Sequence, residues 1–447
     1  MQEHLPALRS AGELVERWPR AQPLAALVSG GSGTHNAWSV AALPRETVVI
    51  PARISREELL RTLDEAFART PRLSARAACA TDGAPPFAGG WIVALGYGLG
   101  RALEPSAHAG RTPGAGDAPL AVLHWCEDAW CLEHATGRLH AVGSPPPLEE
   151  RGNACFSADS EAPHRAWRLD SLEADESDAH YAATVARTVE YIRAGDAFQA
   201  NLARRFTARL AGDARRFAQA AIATNESWFG ASIDLPDGGA LVSMSPELFL
   251  RVRPDGAIAT RPIKGTRPAS ADPRELLESA KDAAELAMIV DLMRNDLGRI
   301  AALGSVEVTE GRVLETHSTV HHGVAEIRAR IRDGASWTEI LAATFPPGSV
   351  TGAPKIRAMQ IIDELEPSPR GFYCGALGFV SRSGHASLNV AIRTVQITAA
   401  DASGFRSVAY HAGCGIVADS DPWGEVAETH AKALALARLA SRQAATG

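Results

Sequence analysis

The chain has 447 residues, a formal net charge of −7 at pH 7, 46% hydrophobic residues and 22% charged residues. This length is enough for one large domain or for two to three average domains with a substantial core. The composition is ordinary for a soluble protein, and the acidic balance argues against nucleic acid or an anionic membrane surface as the main partner.

Targeting signals and membrane spans are not predicted. The first residues, MQEHLPALRSAGELVERW, mix acids and bases and contain no apolar core of a signal peptide. No apolar run approaches the ~20 residues that a membrane span needs. The six cysteines, at positions 79, 126, 131, 155, 374 and 414, show no C-x-x-C spacing. A reduced, cytoplasmic protein is therefore the simplest interpretation.

The composition along the chain suggests two regions and a connection between them. Residues 1–142 read as short strands and helices, and residues 143–177 are rich in proline and scattered charge without a sustained period. We predict a linker over 143–177 that passes across the surface. Residues 178–441 then form the second region.

This second region opens with a helix and a strand. Ser177 or Asp178 can cap the helix, its apolar residues recur at helical spacing, and Gly195 is a typical residue just beyond a helix end. In the strand that follows, Gln199 and Asn201 share one face. Buried strand amides usually satisfy only backbone groups, so these two side chains do not by themselves indicate a site.

A β-hairpin is predicted from Leu248 to Thr260, because the Asp255-Gly256 pair between two β-type runs is typical of a two-residue turn. In that register Glu247 faces Lys264 across the hairpin. A one-residue slip or a bulge would change this pairing. The pair is either a surface ion pair, which is the commoner case, or an acid beside a nucleophile. The hairpin alone favours the ion pair.

One long, well-buried helix is predicted from Glu275 to Ala301. A carboxylate on such a helix needs a cationic partner or a metal. For Asp291, Arg294 and Asn295 we favour an internal polar network. Further on, His317 and His321 would form a metal pair on a helix, but their Thr- and Val-rich surroundings indicate a strand, and no zinc site is predicted.

The remaining segments offer groups that bind anions and cations. Residues 345–355 form a Gly- and Pro-rich loop before a helix from Lys355 to Leu365, a junction that suits an anion unless it is a plain turn. Residues 387–394 read as a strand that carries Arg393. In the last helix, Glu425 and Glu428 are spaced i, i+3, either as partners of the helix dipole or as ligands of a hard cation.

Several of these blocks, taken together, resemble the chorismate-utilising enzymes and especially their aminodeoxychorismate-forming branch. The resemblance extends from about Gly195 to Glu428 and is carried by 195–202, 245–247, 261–268, 345–355 and 412–417. The chain departs from the family pattern at Gly323-Val324-Ala325, at Pro347 and at Cys414.

The resemblance implies an α+β fold, a large sandwich of two antiparallel sheets flanked by helices, with the site between the sheets and residues 178–441 as the catalytic domain. It also implies roles for individual residues. The expected catalytic residues are Lys264, Glu247 and His322. The expected substrate-binding residues are Arg393, Tyr373, Gly413, Gly415, Thr351 and Asn201. The expected ligands of a Mg²⁺ ion are Glu285, Glu425 and Glu428.

The activity that the resemblance implies is Mg²⁺-dependent amination of chorismate by ammonia to 4-amino-4-deoxychorismate, a step towards p-aminobenzoate and folate. Anthranilate synthases usually carry alanine where Lys264 stands, and isochorismate and salicylate synthases use water as the nucleophile. A catalytically silent protein that binds chorismate or tryptophan is the non-enzyme alternative. No glutaminase segment is evident, so a separate glutamine amidotransferase subunit is expected to supply the ammonia.

Overall fold

The structure is a computed structural model of the chain. It describes residues 10–30, 37–71, 83–107, 117–149, 167–225, 227–316 and 320–444, together with residues 8, 110 and 114. Its α-helices are α1 (Gly12–Glu16), α2 (Arg56–Phe67), α3 (Gly98–Leu103), α4 (Asp178–Arg193), α5 (Ala214–Asn225), α6 (Pro273–Glu278), α7 (Ala280–Gly298), α8 (Trp337–Thr344), α9 (Lys355–Leu365) and α10 (Pro422–Ala444). No helix among these residues combines the length and the apolar character required to cross a bilayer.

The strands follow the chain in this order: β1 (Ala25–Val28), β2 (Trp38–Ile50), β3 (Gly90–Leu95), β4 (Ala121–Glu133), β5 (Leu139–Val142), β6 (Arg168–Leu169), β7 (Glu173–Ala174), β8 (Gln199–Ala211), β9 (Phe229–Asp234), β10 (Ala240–Ser245), β11 (Leu248–Val252), β12 (Ala257–Arg261), β13 (Ile263–Pro268), β14 (Glu307–Thr316), β15 (Val320–Arg330), β16 (Gly352–Ala353), β17 (Ala376–Ser381), β18 (Ala386–Asn389), β19 (Thr394–Ile397) and β20 (Phe405–Ile416).

The strand pairings are antiparallel and connect into one continuous order. From one edge this order is β14, β15, β12, β11, β18, β17, β3, β4, β2, β1, β9, β10, β19, β20 and β8. We call β14 to β4 the first half and β2 to β8 the second half. Strand β13 continues the position of β12 along β15, and β6, β7 and β16 pair with the other edge of β8.

The hydrophobic core shows how the two halves pack. One cluster consists almost entirely of strand residues from both halves, including Val40, Ile92, Ile233 and Phe379, so the two halves face each other. A second cluster packs α2, α4, α7, α8 and α9 mainly on the first half. A third packs α1, α5 and α10 on the second half. The predicted α+β antiparallel sandwich with flanking helices is therefore confirmed.

The predicted hairpin exists, but the register predicted for it is wrong. Val252 pairs with Ile258, and Gly256 donates a hydrogen bond to the carbonyl oxygen of Arg253 at 3.0 Å. The turn therefore has three residues, and Gly256 takes the left-handed conformation with φ 78° that such a turn places at its end. Strand β12 stops before Pro262, and Lys264 lies on β13, which pairs with β15. Lys264 is thus not the hairpin partner of Glu247.

The predicted long helix is also wrong in one respect. It is split into α6 and α7 at Ser279, whose extended backbone (ψ 107°) ends one helix while its hydroxyl accepts the N–H of Asp282 and caps the next. Asp291 and Arg294 form an ion pair, but it lies on the exposed face of α7. The predicted helices from Asp178 and from Lys355 are confirmed. His321 lies on a strand, as predicted, and His317 lies outside the described residues.

A buried ion pair joins the end of α9 to β8. The Arg370 guanidinium donates to both carboxylate oxygens of Glu366, at 2.6 and 2.8 Å, and both side chains are almost fully buried. Arg370 also donates to the carbonyl oxygens of Asn201 and Val350, and Glu366 accepts the N–H of Ala203. The pair therefore connects three backbone segments that surround Asn201.

Replacing Glu366 with glutamine would leave the Arg370 charge buried without its counter-charge. We expect Glu366→Gln to lower the free energy of unfolding by about 3 kcal/mol, since breaking a buried pair leaves an uncompensated charge. Urea unfolding monitored by circular dichroism measures this change. The matched control is Glu364→Gln at an exposed position of α9, where glutamine keeps a side-chain oxygen to accept the hydrogen bond from Tyr191 and the change should stay within about 0.5 kcal/mol. Equal changes in both variants would contradict the prediction.

Candidate active site

The site lies where the chain crosses from one half of the sheet to the other. One crossing joins β10 to β11 and contains Glu247, and a second joins β18 to β19 and contains Arg393. The two crossings contact each other, because Val390 donates to the Glu247 carbonyl oxygen and Met244 donates to the Arg393 carbonyl oxygen, each at 3.0 Å. The continuous strand predicted over 387–394 is therefore wrong, because the chain leaves the ladder at 390–393 to change halves.

Lys264 extends from β13 towards these crossings. Its Nζ donates a hydrogen bond to the Ser349 carbonyl oxygen at 3.3 Å. Burial is the largest influence on the amine and lowers its pKa, and the charge of Lys432 acts in the same direction. Three carboxylates oppose this shift and therefore surround the same amine: Glu285, Glu247 and Glu428. A lowered pKa increases the neutral fraction, which is the nucleophilic form of an amine.

Glu247 is a carboxyl group that favours its protonated form. It is 3% exposed, and its Oε1 has no hydrogen-bond partner within the described part of the chain. Burial raises its pKa to about 7, against the lowering effects of the Ser349 side chain and the Lys264 charge. A carboxyl group with such a pKa can donate a proton near neutral pH.

Glycine at position 415 allows two side chains to meet above β20. A Cβ on Gly415 would lie 2.0 Å from Nε2 of Gln199 and 3.5 Å from Nζ of Lys264. Gln199 is 1% exposed, and neither polar atom of its amide has a hydrogen-bond partner among the described residues. A bound polar ligand would relieve this cost. Asn201 lies two residues further along β8 and pairs with Gly415 in the ladder.

Two of the three predicted metal ligands, Glu425 and Glu428, lie close together, and the charges of Glu425 and Lys264 both act on the third, Glu285. Ligand atoms of Glu425, Glu428 and Cys414 lie within 4.8 Å of one another. Burial raises the pKa of Glu285, and the charges of Asp282 and Glu425 add to the increase. A cation would offset the negative charge of these carboxylates, and carboxylate oxygens are ligands that Mg²⁺ prefers. These residues therefore fit the implied Mg²⁺, although the Cys414 thiol is not a ligand that this ion favours.

Two polar residues of the site were not predicted from the sequence. Lys432 donates from Nζ to the Gly413 carbonyl oxygen and forms an ion pair with Glu428, both at 2.7 Å. The sequence shows Lys432 four residues after Glu428, a spacing that places both side chains on one face of a helix. Gln199 was placed on the correct face of its strand but given no role, because spacing alone does not show whether a buried amide finds a partner.

Arg393 and Tyr373 lie near the edge of β20. Arg393 directly precedes β19, whose Val395 pairs with Tyr410 of β20, so continuing this register places Arg393 opposite Ala412, the residue before Gly413. Its φ of 49° is unusual for a non-glycine residue, and such strained backbone occurs mainly at functional sites. Tyr373 is buried and stacks on the ring of His411, with centroids 5.1 Å apart and planes 12° apart.

Two further predicted residues occupy the surrounding loops and strands. His322 is buried on β15 next to β13, and its Nδ1 lies 2.9 Å from the hydroxyl of Thr266. Thr351 uses its hydroxyl to donate to the carbonyl oxygens of Pro347 and Gly348, and its own carbonyl oxygen accepts the N–H of Asn201. Thr351 thus stabilises its loop, and its contact with substrate stays a prediction.

The arrangement combines an amine with a lowered pKa, a carboxyl group with a raised pKa and a cluster of carboxylates around one site. Such a set can activate a hydroxyl as a leaving group and form a bond to the carbon that carries it. The structure thus brings Lys264 together with Glu247 and with the carboxylates of Glu285 and Glu428, although the individual roles of these residues stay predictions.

Comparison with known proteins gives a family. The sequence profile described as "chorismate binding enzyme" matches residues 32–438. Aminodeoxychorismate synthase component 1 of Klebsiella aerogenes is 39% identical over 356 residues, which cover 78% of this chain and 76% of that protein. Anthranilate synthase component 1 of Streptomyces coelicolor is 36% identical over 397 residues, which cover 81% of this chain and 75% of that protein.

Solved structures agree with this assignment. Anthranilate synthase component I from Streptococcus pneumoniae TIGR4 superposes with a TM-score of 0.72 at 28% identity, covering 90% of this chain and 92% of that one. The isochorismate synthase MenF from Escherichia coli superposes with a TM-score of 0.67 at 17% identity, covering 97% and 92%, and supports the fold alone. The resemblance inferred from the sequence motifs is confirmed at the level of the family.

Replacing Glu247 with glutamine tests the buried acid without an activity assay. Because the pKa of Glu247 is about 7 in the folded chain against 4.5 as the ordinary value, its stabilising contribution is complete below pH 4.5 and is lost as the pH rises through 7. Relative to the unaltered protein, Glu247→Gln should therefore gain about 2 to 3 kcal/mol of unfolding free energy between pH 5 and pH 8.5. Urea unfolding at both pH values measures the gain. A pH-independent difference between variant and parent would show that the acid is not perturbed.

Proposed function

Because the chain belongs to the chorismate-binding enzyme family, we propose that it replaces the 4-hydroxyl group of chorismate with ammonia and forms 4-amino-4-deoxychorismate. The observation that carries this proposal is the amine of Lys264 beside the carboxyl group of Glu247, each with its pKa shifted towards the neutral form. An uncharged amine is the form that attacks carbon, and an uncharged acid is the form that assists a leaving hydroxyl.

The reaction then proceeds in two displacements. In the first, the Nζ lone pair of Lys264 forms a C–N bond to the ring, the ring double bonds shift, and the C4–O bond breaks with its electron pair on oxygen. The departing oxygen takes the proton of Glu247 and leaves as water, and the attached amine passes a proton back to the Glu247 carboxylate. In the second, the lone pair of ammonia forms the C4–N bond, the ring double bonds shift back, and the bond to Lys264 breaks with its electron pair on Nζ, which takes a proton from the nitrogen now at C4. Chorismate and ammonia thus give the aminated product and water, without any oxidant or reductant.

Binding of the two substrate carboxylates is assigned to two different groups of residues. Mg²⁺ at Glu285, Glu425 and Glu428 would neutralise one carboxylate of the substrate. Arg393 is suited to the other, because its guanidinium donates in a bidentate manner. Lys432 supplies a further positive charge beside Gly413. Gln199 offers an unpaired amide at the centre of the site for a polar group of the substrate.

The choice of ammonia as the nucleophile is supported by the amide of Gln199, which meets Lys264 above Gly415. Water is a weak nucleophile that usually needs a base to take its proton, whereas neutral ammonia attacks without such help. The side chain that meets Lys264 above Gly415 is the amide of Gln199, which is not a base. Ammonia therefore suits this site better than water, because the neutral amine of Lys264 is assigned to the bond with the ring and is then not available as a base for water.

Anthranilate synthesis is the second candidate. Relatives with the two activities are nearly equally similar to this chain, at 39% and 36% identity, so overall identity does not separate them. The lysine at position 264 supports the aminating activity, since the family resemblance implies that anthranilate synthases usually carry alanine there and an alanine cannot form the bond to the ring. Pyruvate is released only in the anthranilate reaction, which makes the products easy to distinguish.

Ammonia supply belongs to the same proposal. Several relatives are named component 1, which supports a separate second component. We assign that role to a glutamine amidotransferase subunit, working with this chain in the cytoplasmic route to p-aminobenzoate and folate.

Replacing Lys264 with alanine tests the proposed reaction. We expect the unaltered protein, given chorismate, Mg²⁺ and ammonium, to form aminodeoxychorismate without pyruvate, and Lys264→Ala to lose most of this turnover because no side chain remains to form the bond. Chromatography of the products and a pyruvate assay measure both results, and thermal unfolding shows that the variant is folded. Unchanged turnover would exclude the covalent role, and anthranilate with equimolar pyruvate from the unaltered protein would exclude the proposed function.

Replacing Glu247 with glutamine tests the acid. We expect kcat to fall by about 10²- to 10⁴-fold, the range that a positioned general acid contributes. Steady-state kinetics with saturating ammonium measures the loss. An unchanged kcat would mean that the hydroxyl leaves without help from this residue.

A further inference from the structure

A thiol and two carboxylates come together where β20 packs against α10. Ligand atoms of Cys414, Glu425 and Glu428 all lie within 4.8 Å of one another. The thiol is a feature of this chain, because Cys414 is a position at which the sequence departs from the family pattern. Cys414 is 1% exposed, and Glu425 is buried on the neighbouring helix. We call these three residues the Cys–Glu cluster.

The surrounding groups orient the donors of this cluster. The Ser420 hydroxyl donates to Oε1 of Glu425 at 2.7 Å, and Nζ of Lys432 lies 2.7 Å from Oε1 of Glu428. The Cys414 thiol donates to the Glu425 carbonyl oxygen at 3.6 Å. Outer partners of this kind fix the direction of metal ligands. Each carboxylate keeps a second oxygen, Oε2, to offer to a cation.

The donor set of the Cys–Glu cluster differs from the one that Mg²⁺ prefers. Mg²⁺ selects oxygen ligands, whereas a thiolate is a soft ligand that selects zinc. Zn²⁺ takes four ligands in a tetrahedron, and three protein side chains with one water are a common set. Bond lengths of about 2.1 to 2.3 Å place the ligand atoms of such a tetrahedron about 3.6 Å apart. Rotation of the two glutamate side chains brings ligand atoms that are already within 4.8 Å to this separation.

The charges of the Cys–Glu cluster also suit a divalent cation. A metal ion deprotonates a coordinating thiol outright, so the three ligands then carry three negative charges. Lys432, paired with Glu428, offsets one of them. A divalent cation neutralises the remaining two, in a partly buried position where uncompensated charge is costly.

We propose that the Cys–Glu cluster binds Zn²⁺ and that this ion excludes Mg²⁺ from the active site. When the S–Zn bond forms, the Cys414 thiol releases its proton to solvent, and no electron is transferred. The zinc position uses Glu425 and Glu428, two of the three carboxylates assigned to Mg²⁺, and takes Cys414 in place of Glu285. The two ions therefore compete for the same oxygens, and bound zinc inhibits an enzyme that needs Mg²⁺. This inhibition rests on the proposed function, whereas zinc binding does not.

Cobalt reports directly on a metal–thiolate bond, because Co²⁺ bound to sulfur absorbs strongly in the near ultraviolet and Co²⁺ bound only to oxygen does not. Metal-free protein, kept reduced with a phosphine, is titrated with Co²⁺. We expect this absorption in the unaltered protein and its loss in Cys414→Ser. The matched control is Cys126→Ala, which should keep the absorption. The Cys126 thiol is also buried and also donates to a backbone carbonyl oxygen at 3.6 Å.

Calorimetric titration with Zn²⁺ and with Mg²⁺ separates a ligand from a structural residue. We expect Cys414→Ser to weaken zinc binding by about 10- to 100-fold or more, because loss of even an outer partner of a metal ligand costs that much. Mg²⁺ binding should weaken far less, since this ion selects oxygen. Glu428→Gln removes a carboxylate that both positions share and should weaken both ions. Glu428 is half-exposed, so this variant keeps the test open if thermal unfolding shows that Cys414→Ser does not fold.

Several results would overturn the proposal. No near-ultraviolet absorption in the unaltered protein, or absorption that persists in Cys414→Ser, would mean that this thiol is not a ligand. Equal weakening of zinc and Mg²⁺ binding in Cys414→Ser would give the thiol a structural role only. Zinc that leaves chorismate turnover unaffected, or inhibition that excess Mg²⁺ does not reverse, would show that the ions do not compete. A protein without turnover at any metal concentration contradicts the proposed function instead, and displacement of Mg²⁺ by Zn²⁺ in the calorimeter then tests the competition.

Discussion

The buried ion pair between Glu366 and Arg370 connects the parts of the molecule on which the site depends. Its two side chains hold the backbone of β8 at Asn201 and Ala203 and the loop at Val350. The Arg370 guanidinium also lies over the rings of Tyr97 and Tyr373, 4.5 and 5.7 Å from their centroids. A buried pair of this kind is weak evidence for stability in itself, because desolvation offsets much of the attraction. Its effect is geometric, since it fixes the relative positions of segments that are far apart in sequence.

The influences on Lys264 favour different protonation states of its amine. A buried amine surrounded by carboxylates would normally become a stable ammonium ion, and the charges of Glu285, Glu247 and Glu428 do favour that form. Burial and Lys432 oppose them and prevail, so the pKa of Lys264 is lowered. Any cation bound by the carboxylates would remove part of the charge that stabilises the ammonium form. Metal binding and nucleophile activation would thus depend on each other, because both use the same carboxylates.

Sequence patterns predicted α4, α9 and the last helix, and the paired strands β11 and β12, because hydrophobic period and capping residues are local signals. They predicted α4 from Ser177 to Gly195 and α9 from Lys355, where the turn residues leave little choice. They failed where contacts between distant segments determine the local conformation. Nothing local distinguishes a two-residue from a three-residue turn at Asp255-Gly256, and nothing local shows that the chain leaves its strand at 390–393. The proximity of Glu247 and Lys264 was therefore predicted through a pairing that does not exist.

These failures have one physical cause, and the same cause forms the site. The chain passes between the two halves of the sheet at Glu247 and again at Arg393, and each passage interrupts a ladder that periodicity alone would continue. An interrupted ladder leaves backbone and side chains free to point into the space between the halves, whereas a regular strand alternates its residues between two faces. The left-handed backbone of Arg393 is a consequence of that passage. The residues that are hardest to place from local patterns are thus the ones positioned to meet a substrate, since both properties follow from leaving the ladder.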